Sequence, residues 1–298
     1  MALVKFPGFV YHRPTSLDEA VELIGRLGGD AKVLAGGQSL LPVMALRLGQ
    51  PEHLVDISRV SGLDVLAHDD GVVRVGARVT HAQVEDAPMV RRYAPLLADA
   101  MPWIAHRAVR NRGTVCGSLA HADPAAELPA IALALDASLV ARSVRGERII
   151  AARDFFEGFL TTSLAPDELL CEVRFPLVAP GTVTVASEVS RRHGDYAMVG
   201  LAASLHRDHA GTIDDVALAL FAVGSTAVRA TKAEDALRGR TLTPDTIATA
   251  VAALREELDP PGDNHASPAY RRHVAGVVLA RTLQGFAADA AAISGDAA

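Results

Sequence analysis

Residues 32–42 read Lys-Val-Leu-Ala-Gly-Gly-Gln-Ser-Leu-Leu-Pro. A short apolar strand runs straight into two adjacent glycines, then two polar residues, then an apolar stretch from Leu40 to Leu48. Such a chain must turn sharply at Gly36-Gly37, because glycine lacks the Cβ that closes much of backbone space. Successive N–H groups in a turn of this kind point into one concavity, which suits phosphate oxygens. Gln38 and Ser39 add side-chain donors. The spacing fits neither G-x-G-x-x-G nor G-x-x-x-x-G-K-[ST], so the Rossmann and P-loop readings both fail. Taken alone, two glycines after a strand usually mark a turn and nothing more.

A second glycine-bearing polar turn follows at Thr114-Val-Cys-Gly-Ser118, ahead of Leu-Ala-His-Ala-Asp-Pro-Ala-Ala-Glu127. Asp123 is placed to cap a helix with Pro124 at its first position, predicted to run through Leu135. Two donor-rich turns can grip a pyrophosphate, and a carboxylate can accept hydrogen bonds from sugar hydroxyls. Together they imply a phosphate-bearing cofactor held between two α/β units, without saying which cofactor.

The rest of the chain supplies the scaffold. Ser16 and Glu19 form a capping box before an apolar stripe of Leu17, Ala20, Val21, Ile24 and Leu27, which Gly28-Gly29 stops. Thr80 with Gln83 opens another helix. Residues 93–107 look helical but broken at Pro102. Strands are predicted at 32–35, 53–57, 72–77, 138–142, 147–151 and 168–175. Pro176–Gly181 reads as a boundary. Beyond it come three strands, at 182–189, 199–206 and 213–223. Two helices follow, one opened by Thr243-Pro244 and one by Ser267-Pro268. Strands followed by helices imply an α+β domain with the helices on one sheet face. The expected parts are 1–59, 60–177 and 178–298. An Ala-rich run at 287–298 is expected to fray.

With 298 residues, 50% of them hydrophobic, a large core is available. The net charge of −6 provides no basic field for nucleic acid or anionic lipid. No segment reaches the ~18 uninterrupted apolar residues of a membrane span, and the start lacks a signal peptide's apolar run. A soluble, cytoplasmic chain is expected. The two cysteines, Cys116 and Cys171, form no CxxC pattern. They provide neither a disulfide framework nor the four thiolates of an iron–sulfur cluster. His206 and His209 are expected at the surface rather than on a metal. His121 is a candidate for cofactor proximity. Arg107, Arg110 and Arg112 form a basic run that is either solvated or turned toward phosphates or a partner. No Ser/His/Asp constellation is present at a supporting spacing.

The segments AGGQSLLP (35–42) and TVCGSLAHADPAAELPA (114–130) resemble the two signature loops of the FAD-binding subunits of molybdenum hydroxylases. The likeness extends to YHRPTSLDEAVELI, HLVDIS, EVSRRHGDYAMVG, AVGSTAVRA and YRRHVAGVVLAR, in the same order. It implies an α+β fold of the vanillyl-alcohol-oxidase type: two FAD-binding subdomains, then a C-terminal α+β domain with an antiparallel sheet and helices. Ala35, Gly36, Gly37, Gln38 and Ser39 would hold the pyrophosphate, flanked by Lys32, Val33, Leu34 and Leu40. Thr114, Val115, Cys116, Gly117 and Ser118 would form the second loop. Asp123 and Glu127 would lie near the ribityl chain, Leu169 or Leu170 would pack on the flavin or adenine, and Tyr196 would lie near the isoalloxazine. The family usually has Gly-Gly where this chain has Cys116-Gly117, so the loop is unstrained only if residue 116 keeps φ below zero.

The resemblance also implies partners. A large subunit would carry molybdopterin and a small subunit the [2Fe-2S] clusters, with two such trimers assembled together. This chain would pass their electrons to an outside acceptor, without a catalytic side chain of its own. Two alternatives stand beside this reading: a free-standing flavin oxidase of the same fold, and a scaffold that has lost FAD through Cys116.

Overall fold

The structure, a computed structural model, describes residues 6–295. Strand β1 (Val10–His12) leads to helix α1 (Leu17–Leu27), whose buried face is Ala20, Val21, Leu23 and Ile24. Ser16 caps α1 by accepting from the Glu19 N–H. The expected box is not closed on Ser16, because the Glu19 carboxylate takes the Thr15 N–H instead, at 2.7 Å. Gly28, at φ 56°, ends the helix in a conformation that side chains resist. Strand β2 (Ala31–Leu34), helix α2 (Leu40–Ala45) and strand β3 (His53–Asp56) follow. β1, β3 and β2 form a small parallel sheet in that order.

Next come β4 (Leu66–Asp69), β5 (Val72–Gly76), α3 (His81–Asp86) and α4 (Pro88–Tyr93). The Thr80–Gln83 capping box on α3 is complete in both directions. The stretch expected to be helical but broken at Pro102 is α5 (Pro95–Ala100), a 3₁₀ turn at Met101–Trp103 and α6 (Arg107–Arg110). Helix α7 is Val115–His121 and α8 is Glu127–Ala134. This corrects the sequence expectation at Asp123. The second helix starts at Glu127 with Ala126 at its N-cap, not at Asp123-Pro124, because Ala122 takes the left-handed conformation that closes α7.

Strands β6 (Ser138–Ser143), β7 (Gly146–Ala151), β8 (Phe156–Gly158), β9 (Thr161–Thr162) and β10 (Leu169–Pro176) complete this region. An antiparallel sheet runs β4-β5-β10-β6-β7, with a bulge in β10 between Leu170 and Glu172. Beyond Pro176 lie β11 (Val183–Ser190), β12 (Ala197–Arg207), β13 (Ile213–Phe221) and β14 (Val228–Arg229), an antiparallel meander. Helices α9 (Thr231–Leu237), α10 (Pro244–Glu257) and α11 (Pro268–Gly295) finish the chain. Of the Ala-rich run expected to fray, residues 296–298 lie outside the described residues.

These elements gather into two compact units. The first takes in the described chain up to Tyr93, then His106–Asp123 and Asp136–Pro176. The second takes in Ala94–Ala105, Pro124–Leu135 and the described chain from Leu177 on. In the second unit, Val199, Leu201, Leu205, Leu218 and Leu220 form one sheet face against Leu237, Leu254, Ala275 and Leu279 of α9–α11. Helices α9–α11 thus lie on one sheet face, as expected of them, but the sheet is not covered on that face alone. The opposite face is covered by α5 and α8, which come from earlier in the chain. Helix α8 is buried from Leu128 through Ala134, so it shows no polar stripe. On this same face the Phe221 ring fills the space over Gly200.

Candidate functional site

The first glycine loop joins β2 to α2. Its two glycines are there for different reasons. Gly37 sits at φ 71°, the left-handed region that disfavours a Cβ. Gly36 is needed for room. A Cβ there would lie 2.1 Å from the Arg112 carbonyl oxygen and 2.8 Å from the Gly113 Cα. The two loops therefore meet backbone to backbone. Leu41 N donates to Gly37 O at 3.2 Å, Val43 N to Ser39 O at 3.1 Å, and the Gln38 amide to Gly36 O at 3.4 Å. By contrast, the backbone N–H groups of Gly36, Gly37, Gln38 and Ser39 donate to no acceptor among the described residues. Ala35 through Leu40 are all half-buried. Four consecutive free donors in a half-buried turn form a seat for an anion.

The second loop is the start of a helix rather than an open turn. Thr114 is the N-cap of α7, accepting from Gly117 N at 3.1 Å. Val115 N donates to Val79 O at 3.2 Å and Ser118 N to Thr114 O at 3.0 Å. A Cβ on Gly117 would press to 2.6 Å from the Thr114 hydroxyl and reach 3.6 Å from the Ala35 Cβ. Gly117 thus faces the first loop. Cys116 does not. It is buried within α7, its Sγ 3.5 Å from Val75 O, and its φ is not positive. The side chain adds no backbone strain to the loop. Burial pushes its thiol well above the ordinary range, with Cys171 and Glu172 nearby acting in the same direction. A thiol held neutral in this way is a packing group.

A frame of side chains stands next to the second loop. Arg110, itself buried, places Nε 2.9 Å and Nη2 3.0 Å from the Glu85 carboxylate. Arg107 donates to Glu85 at 2.8 Å and pairs with Asp86. Two members of the basic run are therefore taken up by α3, while Arg112 is exposed and lends its carbonyl to Gly36. His81, on α3, is buried against Gly113.

The other expected residues are placed as follows. Lys32 is exposed on β2, with Val33 and Leu34 half-buried beside it. Asp123 follows the end of α7 in the first unit and is half-buried. Leu169 and Leu170 are buried in β10 of the same unit. Glu127 and Tyr196 belong to the second unit, Glu127 opening α8 and Tyr196 in the β11–β12 hairpin with 65% of its surface exposed. Trp103 stacks on His193, centroids 6.1 Å apart. His206 is half-buried and bonded to Asp214 at 2.6 Å, and His209 is exposed. His121 is half-buried, and its pKa is lowered by burial. No group of metal-ligating side chains occurs among the described residues, and no helix among them is long and apolar enough to cross a membrane. The loop reading passed over the Arg112 carbonyl, Gly113 and His81. Only the Thr80–Gln83 box next to His81 marked that place in the sequence.

Comparison with known proteins establishes the family. The family described as the FAD binding domain in molybdopterin dehydrogenase matches residues 5–178. The CO dehydrogenase flavoprotein C-terminal domain matches residues 185–286. The 6-hydroxypseudooxynicotine dehydrogenase complex subunit alpha of Paenarthrobacter nicotinovorans is 41% identical, covering 94% of this chain and 95% of that one. A carbon monoxide dehydrogenase structure from Hydrogenophaga pseudoflava, which lacks the Mo-pyranopterin moiety of its cofactor, superimposes with a TM-score of 0.90 at 39% identity. That match covers 93% of this chain and 96% of the other. Quinoline 2-oxidoreductase from Pseudomonas putida 86 also gives 0.90 at 39% identity, covering 96% and 99%. The chain belongs to the FAD-binding medium subunits of the molybdenum hydroxylases.

Proposed function

We propose that this chain is the electron-transfer flavoprotein of a multi-subunit molybdenum hydroxylase. It takes electrons from [2Fe-2S] clusters on a small partner subunit and passes them to an external acceptor. A molybdopterin-binding large subunit would carry out the hydroxylation, in a dimer of three-subunit units. The observation that carries this reading is the run of four backbone donors at Gly36–Ser39 with no acceptor among the described residues, seated by Gly36 on the Arg112–Gly113 approach to the second loop.

Ala35 to Ser39 would hold the FAD pyrophosphate, with the Gly36–Ser39 N–H groups as neutral dipoles fixed before the cofactor arrives. Thr114, Val115, Gly117 and Ser118 would form the neighbouring wall, with Cys116 packed behind it. Asp123 would accept hydrogen bonds from ribityl hydroxyls. When bound, the flavin supplies a carrier for one or two electrons, and the protein supplies its place and surroundings. Dependence on partners has separate support. The chain has only two cysteines, both buried, against the four thiolates that a cluster takes.

The test is to purify the native assembly and measure flavin, molybdenum and iron. The expected result is one FAD on this chain, with the metals on two co-purifying polypeptides. An isolated chain that oxidised an organic substrate by itself would overturn the reading in favour of a free-standing oxidase. A colourless chain that took up no FAD would overturn it in favour of a scaffold.

A further inference from the structure

His81 is a histidine beside the second loop that the proposed function leaves unused. The capping box of Thr80 and Gln83 sets it as the first residue of α3. Its backbone N–H donates to Gly113 O at 2.9 Å. The residue is only 5% exposed, and neither ring nitrogen has a hydrogen-bond partner among the described residues. A Cβ on Gly113 would lie 3.1 Å from both Cε1 and Nδ1 of the ring. Gly113 is not in the left-handed region, so the glycine there makes room for the imidazole. The same Arg112–Gly113 segment is the one on which Gly36 lies. One short stretch of backbone thus touches the buried ring and the cofactor turn.

We propose that His81 is a positioning residue for the cofactor: its neutral imidazole sets the depth of the Arg112–Thr114 segment and, through it, the seat of the Gly36 turn. The proposal rests on that turn being the FAD site. It makes the site sensitive to acid. Of the charged groups in this region, Arg110 on α6 is the one that acts on the ring, while Glu85 and Asp86 further along α3 are tied to Arg107 and Arg110. Glu85 is shared by Arg110 and Arg107, and Asp86 is paired with Arg107. Both α3 carboxylates are therefore already engaged by arginines. Burial lowers the His81 pKa to about 4, aided by the Arg110 guanidinium; the Thr114 backbone, near the ring but outside hydrogen-bond geometry, opposes this too weakly to offset it. A ring released to water would return to about 6.5. The seated conformation is therefore fully favoured above that pH, and its advantage is lost as pH falls from about 6.5 toward 4.

The test uses the full-length, flavin-free chain titrated with FAD and followed by flavin fluorescence between pH 5.5 and 8.5, alongside melting curves. His81→Ala is expected to weaken FAD binding at least tenfold at pH 7.5. His81→Phe fills the space without titrating. It should bind like the parent at pH 7.5 and lack the parent's fall in affinity toward pH 5.5. Gly113→Ala should weaken binding in the parent, where the new methyl meets the ring, and weaken it less in the His81→Ala background, where only the Val109 carbonyl at 3.3 Å stays in its way. Parent-like FAD affinity in His81→Ala, or the parent's pH profile surviving in His81→Phe, would overturn the proposal. Where His81→Ala does not fold, the His81→Phe profile decides alone. Gly36→Ala separates this inference from the site itself. If it still binds FAD, the site assignment falls. If it loses FAD while the His81 variants behave like the parent, only the positioning role falls.

Discussion

The turn at Gly36-Gly37 keeps its backbone donors, while the helix start at Thr114 spends most of its own. Gly36, Gly37, Gln38 and Ser39 have N–H groups with no acceptor among the described residues, whereas Val115, Gly117 and Ser118 donate to Val79, to the Thr114 hydroxyl and to Thr114 O. Both segments read as polar, glycine-bearing turns next to a helix. In the structure one keeps its backbone donors open, and the other is a capped helix start whose approach, at Arg112–Gly113, packs against it. A glycine is therefore weak evidence of a ligand until its reason is known. Gly37 serves the backbone angle, Gly36 serves loop-to-loop contact, and Gly117 serves the space beside Thr114 and Ala35.

The largest expected effect comes from breaking that contact. Gly36→Ala would put a methyl 2.1 Å from the Arg112 carbonyl oxygen, and neither backbone can give way cheaply. FAD binding should be abolished and the melting temperature should fall by several degrees. Retained binding would mean that this turn is not the FAD site. Cys116→Gly comes next and separates folding from binding. It empties a buried site and puts glycine inside α7, for a loss of about 2 kcal/mol in a denaturant titration. FAD affinity should stay within about twofold, since the thiol faces Val75 and not the first loop. Tighter FAD binding in this variant would restore the idea that Cys116 injures the site. Gly37→Ala forces a methyl into φ 71° and should cost about 1–2 kcal/mol, with FAD affinity falling in step as the turn relaxes.

What the sequence disclosed, and what it hid, follows the same division between local and distant causes. The caps at Ser16, Thr80, Thr243 and Ser267, the stop at Gly28 and most strands depend on neighbours within a few residues, and they were legible. The helix start misplaced at Asp123 turned on Ala122 adopting the left-handed region, which no residue type announced. Gly36 answers to Arg112 and His81 to Gly113, partners far along the chain. The second unit borrows α5 and α8 from positions ahead of Pro176, so its covered sheet face could not be read from residues 178–298. Family resemblance reached the loops because it matches patterns whole, but it says nothing about why each glycine is there.

The smallest expected effect tests whether the wall matters to the seat at all. Thr114→Ala removes the oxygen that accepts from Gly117 N and should cost about 1 kcal/mol of stability, as N-cap losses generally do. The freed Gly117 N–H would be left at the start of α7, beside the first loop, where water or a cofactor oxygen would satisfy it. Its loss of a partner should thus be partly offset when FAD is bound. The melting temperature of the flavin-free chain should then fall more than that of the FAD-saturated chain. Thr114→Ser keeps the cap oxygen and should lose only a few tenths of a kcal/mol in either state. Equal losses with and without FAD in Thr114→Ala would mean that the second loop is a structural helix start alone. The cofactor's phosphates would then be left to the first loop.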